Sequence, residues 1–411
     1  MPTSARPRTS GRISRRAAAC LAAVAALSWP GRAAAAATDP PPALGLSGAQ
    51  VRAALAHGPW PPPRRPDPAN RVSGQSRAIA LGCRLFFESR LSSTGTISCA
   101  SCHRPERGWT DGRERATALG AHDRNTQTLW NLAWQRWFGW DGGSDSLWSH
   151  SVRPLLAAHE MGASAAHVAR VLRSVPELAR AYAAAFGTVL QADDTRLLVD
   201  VGKAMAAYLE TLVSPRTAFD AFRDALERGD WHAAAAYPAA ARRGLAIFVG
   251  RGRCAACHVG PQFSNGEFHD IGIDFFVDGS RVDPGRHGGI RRVRSDPLNR
   301  LGGHGDAPDG TGAMHTRHVR LSHRNWGQFK VPTLRQLVET GPYMHNGSLP
   351  DLRAVVRHYS ELDLERLHSD GEALLVPLGL SDSEIDDLVA FLRSLSAEAP
   401  QVTSCASSPL R

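Results

Sequence analysis

The sequence lacks the features that identify several large classes of protein. It has no long hydrophobic run: the apolar stretch at residues 17–29 is too short to be a comfortable membrane span. Patterns that alternate polar and apolar residues, as strands do, are scarce beyond possible short hairpins. Hydrophobic residues make up 43% of the 411 positions, which is enough to build cores and argues against disorder throughout the chain. The sequence therefore predicts a mainly α protein with no transmembrane span in its mature form.

Acidic residues are absent from the first 37 positions, and this absence changes what the net charge means. An arginine-rich start, the apolar run at 17–29 and the small residues that follow are the three parts of an export signal. We predict that residues 1–37 are a cleaved signal peptide and that the mature protein is periplasmic. The formal net charge is +9 and six arginines lie in this segment, so the mature chain carries about +3. So small an excess gives no reason to expect a nucleic-acid partner.

Cysteine is also scarce, and its spacing does not suggest a disulfide framework. Four of the seven cysteines form two C-x-x-C-H motifs, "CASCH" at 99–103 and "CAACH" at 254–258. This motif attaches c-type haem through two thioether bonds, with the adjacent histidine below the iron. A zinc site and a redox-active C-x-x-C pair are the alternatives. Two copies behind an export signal favour haem, because such cytochromes mature outside the cytoplasm. The predicted haem-binding residues are Cys99, Cys102 and His103 at the first motif, and Cys254, Cys257 and His258 at the second.

Two cysteines of the mature chain lie outside these motifs. Cys83 and Cys405 either pair with each other or remain as two separate thiols, and the sequence does not decide between these arrangements.

The order of segments repeats one theme, a helix followed by a haem motif, with the two motifs 155 residues apart. We predict a linker at 38–74, extended and poorly structured in its proline-rich parts, and two haem domains at 75–225 and 226–400. Apolar periodicity predicts helices on both sides of each motif. Residues 276–326 are rich in Gly, Arg, Asp and His, and we interpret them as a long loop that covers a surface.

Several ordered motifs resemble the bacterial di-haem cytochrome c peroxidases and their relative MauG. The resemblance covers roughly residues 75–397, and its markers are "LGCRLFFESRLSSTGTISCASCH", "GWTDGR", "RNTQTLWN", "FGWDGGSDSLWSHSVRPLLAAHEMG", "FKVPTLRQL" and "GPYMHNGSLPDLRAVVRHY". The tryptophan-rich marker is most similar to the MbnH-type branch, which oxidises Trp on a partner protein. The resemblance implies two cytochrome c-like haem domains packed against each other.

The resemblance assigns the reaction with hydrogen peroxide to the first haem, above His103. Glu160, in "HEMG", matches the distal glutamate that moves a proton between the two peroxide oxygens as their bond breaks. A surface or helix-capping glutamate is the alternative interpretation. His122 matches a loop that carries a distal histidine ligand in some family members, but the loop is shorter here. It is either an iron ligand or an ordinary loop residue, and His159 is interpreted as a structural neighbour of the pocket.

The resemblance also implies two features between the haems. Trp140, in "WDG", matches a tryptophan that bridges them for electron or hole transfer, whereas core packing is the plainer interpretation. Asn125, Thr340 and Pro342 match the residues that hold one Ca²⁺ ion, through an Asn side chain and two backbone carbonyls.

The second axial ligand of the second haem distinguishes members of this family. In the peroxidases it is a Met that lies fourteen residues beyond the His of the "PY-x-H" motif. Here that His is His345, and the matching residue is Tyr359, as in MauG and MbnH. A phenolate would stabilise oxidised iron and lower its reduction potential. Met344, Met314 and His345 are the competing candidates, with His345 expected near the haem edge.

These features predict an enzyme that uses hydrogen peroxide to oxidise an aromatic residue, Trp by analogy, on a partner protein. MauG has a surface Trp for hole transfer at the position of Gly252, so the exit route must differ here, and Trp326 is a candidate. The first alternative is a peroxidase that takes electrons from a small cytochrome c. The second is a di-haem electron carrier without enzymatic activity.

Overall fold

Helices dominate the chain, and most of them carry one apolar face. The computed structural model describes residues 40–187, 190, 193–274, 276–278, 281–307, 310–367, 374–399 and 405. The predicted signal peptide at 1–37 lies outside the described residues. The helices are α1 (Gly48–Leu55), α2 (Ser76–Phe86), α3 (Cys99–Cys102), α4 (Leu147–Leu156), α5 (Ala165–Ser174), α6 (Pro176–Phe186), α7 (Asp194–Leu209), α8 (Ala218–Arg228), α9 (Trp231–Ala235), α10 (Ala239–Val249), α11 (Gly285–Ser295), α12 (Met314–His318), α13 (Leu352–Ser360) and α14 (Asp382–Arg393).

Strands are short and form two small antiparallel pairs within the described residues. β1 (Phe268–His269) pairs with β4 (Phe329–Lys330), and β2 (Phe276–Asp278) pairs with β3 (Arg281–Val282). The first pair places Lys330 opposite Phe268. The prediction of a mainly α fold with little strand is confirmed.

Two groups of buried side chains divide the core along the sequence. Helices α2 and α4–α7 enclose one group, and α8, α10, α13 and α14 enclose the other. Each group contains the helix that precedes one C-x-x-C-H motif. The arrangement is that of two cytochrome c-like haem domains packed against each other. Since the part of the chain described from residue 40 onward forms one compact unit, the exact limits at 75, 225 and 400 stay predictions.

The helix before the first motif crosses α7 at a glycine. A Cβ atom on Gly82 of α2 would lie 2.0 Å from the carbonyl oxygen of Ala204, so only glycine allows this approach. One turn later, Phe86 packs against Tyr208 with ring centroids 5.6 Å apart. The close crossing fixes the helix that leads into Cys99.

The second domain has the same close helix crossing at a glycine. A Cβ on Gly244 of α10 would lie 2.0 Å from the carbonyl oxygen of Asp387 on α14. Four residues later, Phe248 packs against Phe391 at 4.9 Å. The repeat of glycine followed by phenylalanine four residues on marks the same helix crossing in both domains.

The predicted linker at 38–74 is more structured than expected. Helix α1 begins at a capping box in which Ser47 and Gln50 bond each other's backbone N–H groups, and it buries Val51 and Ala54 against the second core. Within the proline-rich stretch, Trp60 is buried and donates to the carbonyl of Ser214. The prediction of poor structure is therefore wrong here, because buried side chains anchor the segment.

The interpretation of 276–326 as a long loop is wrong where the short helix α12 and the longer helix α11 form. This helix has little apolar periodicity because it buries an arginine, Arg286, together with Ile290 and Val293. It approaches the first domain so closely that a Cβ on Gly289 would lie 2.0 Å from the carbonyl oxygen of Asp141.

Cys83 and Cys405 form a disulfide with their Cα atoms 5.7 Å apart. The bond ties residue 405 to α2. None of the described helices has the length and hydropathy needed to cross a bilayer.

Candidate active site

One cavity of about 510 Å³ connects the two C-x-x-C-H motifs. All four motif cysteines line it, together with both motif histidines. Trp140 and Tyr359 also line its wall. The cavity therefore joins the residues that the sequence assigns to both haems.

The two motif histidines are held in the same way. His103 Nδ1 lies 3.0 Å from the carbonyl oxygen of Trp109, and His258 Nδ1 lies 2.9 Å from that of Phe263. Both carbonyls belong to residues with left-handed backbone, at φ 63° and 53°. Since Nδ1–H donates to the carbonyl, Nε2 is left with its lone pair, as an iron ligand needs.

Burial also keeps these rings neutral. It lowers the pKa of His103, and it lowers the pKa of His258 to about 4 despite the opposing effect of the Phe263 carbonyl. A neutral imidazole is the form that binds a metal. The tautomer, the charge state and the neighbouring cysteines in one cavity fit a covalently attached haem at each motif.

Glu160 lies at the first motif's end of the cavity with its side chain 29% exposed. His159 Nε2 is 3.9 Å from Glu160 Oε1, and the His122 ring lies 4.6 Å from that of His159. The N–H of Gly120 donates to the carbonyl of His159 and holds the two loops together. The structure thus brings together the three residues that the sequence places near the peroxide pocket.

Trp140 lies where the two halves of the chain meet. Its Nε1 donates to the carbonyl of Asn125 at 2.9 Å, and its own carbonyl accepts the N–H of Lys330 at 2.8 Å. Its ring is half-buried at the cavity wall, and its position between the two haems stays a prediction.

The candidate calcium residues come from two segments that pack together. The Asn125 N–H donates to the carbonyl of His345, and a Cβ on Gly108 would lie 3.0 Å from the Thr340 side chain. Asn125 Nδ2 donates to the carbonyls of Arg113 and Glu114, which leaves Oδ1 as its acceptor. Asn125 and Thr340 line the cavity.

Pro342, the third candidate, follows Thr340 by two positions but is not among the lining residues. An amide oxygen and backbone carbonyls are the hard donors that Ca²⁺ prefers. The assignment of calcium to these three residues stays a prediction.

Sequence reasoning missed a buried ionic network that also joins the two halves. Arg124 pairs with Asp141 at 2.9 Å and with Asp283 at 2.6 Å, and Arg292 reaches Asp141 at 2.7 Å. Burial alone would raise the pKa of Asp141, but the guanidinium groups of Arg124, Arg292 and Arg153 hold it well below its usual range. No motif spacing predicts such a network, because its two halves are far apart in the sequence.

Tyr359 projects from α13 into the second motif's end of the cavity. Four residues of one helix face line the wall: Leu352, Val355, Val356 and Tyr359. Burial raises the pKa of Tyr359, and the nearby Cys254 and Cys257 raise it further. No described residue hydrogen-bonds its hydroxyl group. The phenol is thus placed beside the second C-x-x-C-H motif without a protein partner.

The competing ligand candidates differ in position. Met314 is 58% exposed on α12 and does not line the cavity. Met344 lines it, from a residue with φ 75°. His345 lines it too, with its ring stacked on Phe329 at 3.5 Å.

The two residues considered for an exit route lie in different places. Gly252 lies at the cavity wall, before the second motif. Trp326 lies away from the cavity, half-buried, with its ring 4.7 Å from that of His287. The role of Trp326 in an exit route stays a prediction.

Comparison with known proteins identifies the family. Residues 76–228 match the family described as di-haem cytochrome c peroxidase. The methylamine utilization protein MauG of Methylorubrum extorquens is 38% identical over 79% of this chain and 80% of its own length. The chain belongs to the di-haem cytochrome c peroxidase family. A cytochrome-c peroxidase of Denitromonas iodatirespirans is 33% identical over 84% of this chain and 87% of that protein.

Solved structures of this peroxidase family share the fold. A MauG-like protein associated with microbial copper homeostasis has a TM-score of 0.62 at 26% identity, and covers 86% of this chain and 100% of its own. The diheme peroxidase BthA from Burkholderia thailandensis also has a TM-score of 0.62, at 23% identity. The chain is thus a di-haem oxidoreductase that acts with hydrogen peroxide and with a protein substrate or a cytochrome donor.

Proposed function

We propose that this enzyme is of the MauG type: it uses hydrogen peroxide to oxidise an aromatic side chain, Trp by analogy, on an exported partner protein. The observation that carries this proposal is the position of Tyr359. Its phenol faces the cavity beside the second C-x-x-C-H motif, where the peroxidases have a Met. A haem bound there supplies redox chemistry, and a hard anionic ligand favours its oxidised state.

The protonation of Tyr359 supports this role. In the protein alone, burial keeps the phenol protonated. A cation within bonding distance reverses that preference, because it stabilises the anion. Tyr359 and His258 would hold the haem at the second motif, and Tyr359 would lose its proton only as it becomes a ligand.

Glu160 would carry the proton transfer at the other end of the cavity. It would take a proton from the inner peroxide oxygen and return it to the outer one, so that water leaves. His159 lies 3.9 Å away and is 56% exposed, which gives the carboxylate a neighbour open to solvent for proton exchange.

Trp140 would connect the two haem sites. The hydrogen bond from its indole N–H to Asn125 and the bond from Lys330 to its carbonyl fix the ring at the cavity wall. The overall electron balance is simple. One hydrogen peroxide takes up two electrons and two protons to give two waters, and the partner loses two electrons and two protons.

The second candidate is a cytochrome c peroxidase, favoured by the relative of that name at 33% identity. It would draw the same two electrons from two molecules of a reduced small cytochrome. Either activity fits a periplasmic enzyme, the location proposed from the signal at 1–37. The Ca²⁺ ion proposed at Asn125, Thr340 and Pro342 would stabilise the contact between the two halves in both cases.

Addition of hydrogen peroxide to the resting protein separates these candidates. We expect a two-electron-oxidised form that persists without added reductant. Absorption spectroscopy of the haem bands detects this form and measures its lifetime. Rapid return to the resting spectrum only when a reduced small cytochrome is present, with multiple turnovers, would instead support the peroxidase. An unchanged spectrum after peroxide would contradict both.

A further inference from the structure

The segment 285–326 concentrates the positive charge of the protein. It holds eight arginines against three aspartates, an excess of five that exceeds the net charge of about +3 of the mature chain. Six of these arginines are exposed on α11, α12 and the residues that follow α12: Arg291, Arg292, Arg294, Arg317, Arg320 and Arg324. Of these, Arg292 is paired with Asp141. The rest of the mature chain therefore carries no net positive charge.

Contacts join α11 to the residues that follow α12. Arg294 donates to the carbonyl of Val319 at 2.5 Å, which joins α11 to the segment after α12. His287 of α11 stacks on Trp326. Burial and the nearby Arg291 and His323 lower the pKa of His287. We call this surface, formed by residues 287–294 and 314–326, the arginine face.

Three charges on this face are available to a partner. Ion pairs among the described residues engage none of Arg291, Arg317 and Arg320. Of the acidic residues described in 285–326, Asp306 is already paired with Lys203, and Asp296 bonds the N–H of Leu298. Exposed apolar side chains lie between the charges, with Met314 58% and Leu321 39% exposed.

The arginine face also packs on the buried residues around Trp137. Val319 packs on the buried cluster of Trp137, Phe268 and Val293, and the His315 ring is 6.5 Å from that of Trp137. Trp137 holds the Lys330 ammonium through its carbonyl, and the Lys330 backbone N–H bonds Trp140. The arginine face is thus connected to Trp140 through Trp137 and Lys330.

We propose that the arginine face is the docking surface for an acidic protein, the redox partner of this enzyme. Mixed arginine and apolar side chains around a half-buried Trp suit a protein interface, in which aromatic groups and Arg are enriched. Opposite charge on the partner would guide its approach and its orientation. The assignment of that partner as the oxidation substrate rests on the proposed function.

Binding to the resting holoprotein tests this proposal without any use of peroxide. Two probes are titrated by calorimetry, a small acidic c-type cytochrome and a small basic one, both oxidised. We expect the acidic probe alone to bind, with affinity that falls at least about tenfold as added salt screens the charges. Hydrogen exchange should show protection within 287–326 in the complex.

The variant Arg291→Glu/Arg317→Glu/Arg320→Glu should weaken the acidic probe's binding by about tenfold or more, since it reverses three charges. A matched control reverses three exposed helical arginines elsewhere, Arg77→Glu/Arg84→Glu/Arg228→Glu, and should change affinity less than about twofold. Equal weakening by both variants would overturn the proposal. So would equal binding of the basic probe, or no binding of the acidic one.

Anionic lipid vesicles are the remaining comparison. If they compete for the same three arginines as tightly as the acidic protein, the surface is a membrane contact and the proposal is wrong. Because all these measurements use the resting protein, failure of the peroxide reaction would contradict the proposed function alone. Loss of probe binding would contradict the docking surface alone.

Discussion

The same two-atom contact recurs at both haem motifs, a histidine Nδ1 against a carbonyl on left-handed backbone. His103 uses Trp109, and His258 uses Phe263. The motif histidines were predictable, because C-x-x-C-H specifies them by spacing. The carbonyl partners were not, since a positive φ at Trp or Phe has no sequence signature.

For the other predicted residues, the structure shows where they lie but does not test their chemical roles. Glu160, Trp140 and Tyr359 all line the cavity, as the resemblance implies. Their chemical roles depend on bound haem and stay predictions. Lys330 lies in the marker "FKVPTLRQL" but was given no role there, although it lines the cavity and its backbone N–H bonds the Trp140 carbonyl.

Glu160→Gln tests the proton transfer. The amide cannot accept and return a proton, so we expect reaction with hydrogen peroxide to slow by about 100-fold or more. Stopped-flow absorption of the haem bands measures the rate, and haem content should be unchanged.

Glu177→Gln on α6 is the matched control for Glu160→Gln, because Glu177 is exposed at the surface and should leave the rate unaltered. A rate for Glu160→Gln equal to that of the unaltered protein would exclude the carboxylate from proton transfer.

At the scale of elements, apolar periodicity predicted the helices that frame both motifs. It failed for α1 and α11, and for different reasons. Helix α1 is short and lies between proline-rich stretches, so its cap at Ser47 is its main signal. Helix α11 buries Arg286 over the ring of Trp137 at 4.2 Å. Because a charged residue occupies a buried position, the helix lacks the apolar periodicity by which it could have been predicted.

The glycine crossings make an element-scale prediction. Gly82→Ala or Gly244→Ala would force a Cβ to within 2.0 Å of a carbonyl oxygen on the facing helix, so the helices must separate. We expect each variant to lower the free energy of unfolding by about 1–3 kcal/mol, measured by denaturant titration of the holoprotein.

Gly303→Ala is the control for the two crossings, since nothing lies within 4 Å of its Cβ position. The close approach would lose its importance if the crossing variants were as stable as this control.

At the scale of the whole molecule, the buried ionic network joins the halves of the chain. Asp141 precedes α4 in the first half, whereas Arg292 and Asp283 belong to the second. The pKa of Asp141 is lower in the folded protein than in the unfolded chain, so the unfolded state binds more protons as pH falls. The stabilisation is complete above roughly pH 4, the unfolded pKa, and is lost progressively below it.

Asp141→Asn should therefore lower the melting temperature near neutral pH and flatten its decline in acid. Removal of one partner of a buried pair costs about 3–5 kcal/mol, because the remaining charges lose their counterion. Thermal unfolding followed across the acid range measures both effects.

Asp386→Asn alters an exposed pair with Arg353 and should change the melting temperature little. An acid profile of Asp141→Asn parallel to that of the unaltered protein would contradict the role of Asp141.

The central claim is that Tyr359 would hold the second haem together with His258, and electron paramagnetic resonance of the resting ferric protein tests it most directly. Tyr359→Phe removes the phenol and keeps the ring, so one low-spin haem signal should disappear and a high-spin signal should grow. Tyr343→Phe is the matched control, because Tyr343 lines the same cavity but donates its hydroxyl proton to the carbonyl of Leu337. Its spectrum should match that of the unaltered protein. An unchanged low-spin signal in Tyr359→Phe would contradict the assignment of Tyr359 and, with it, the proposal of a MauG-type oxidase.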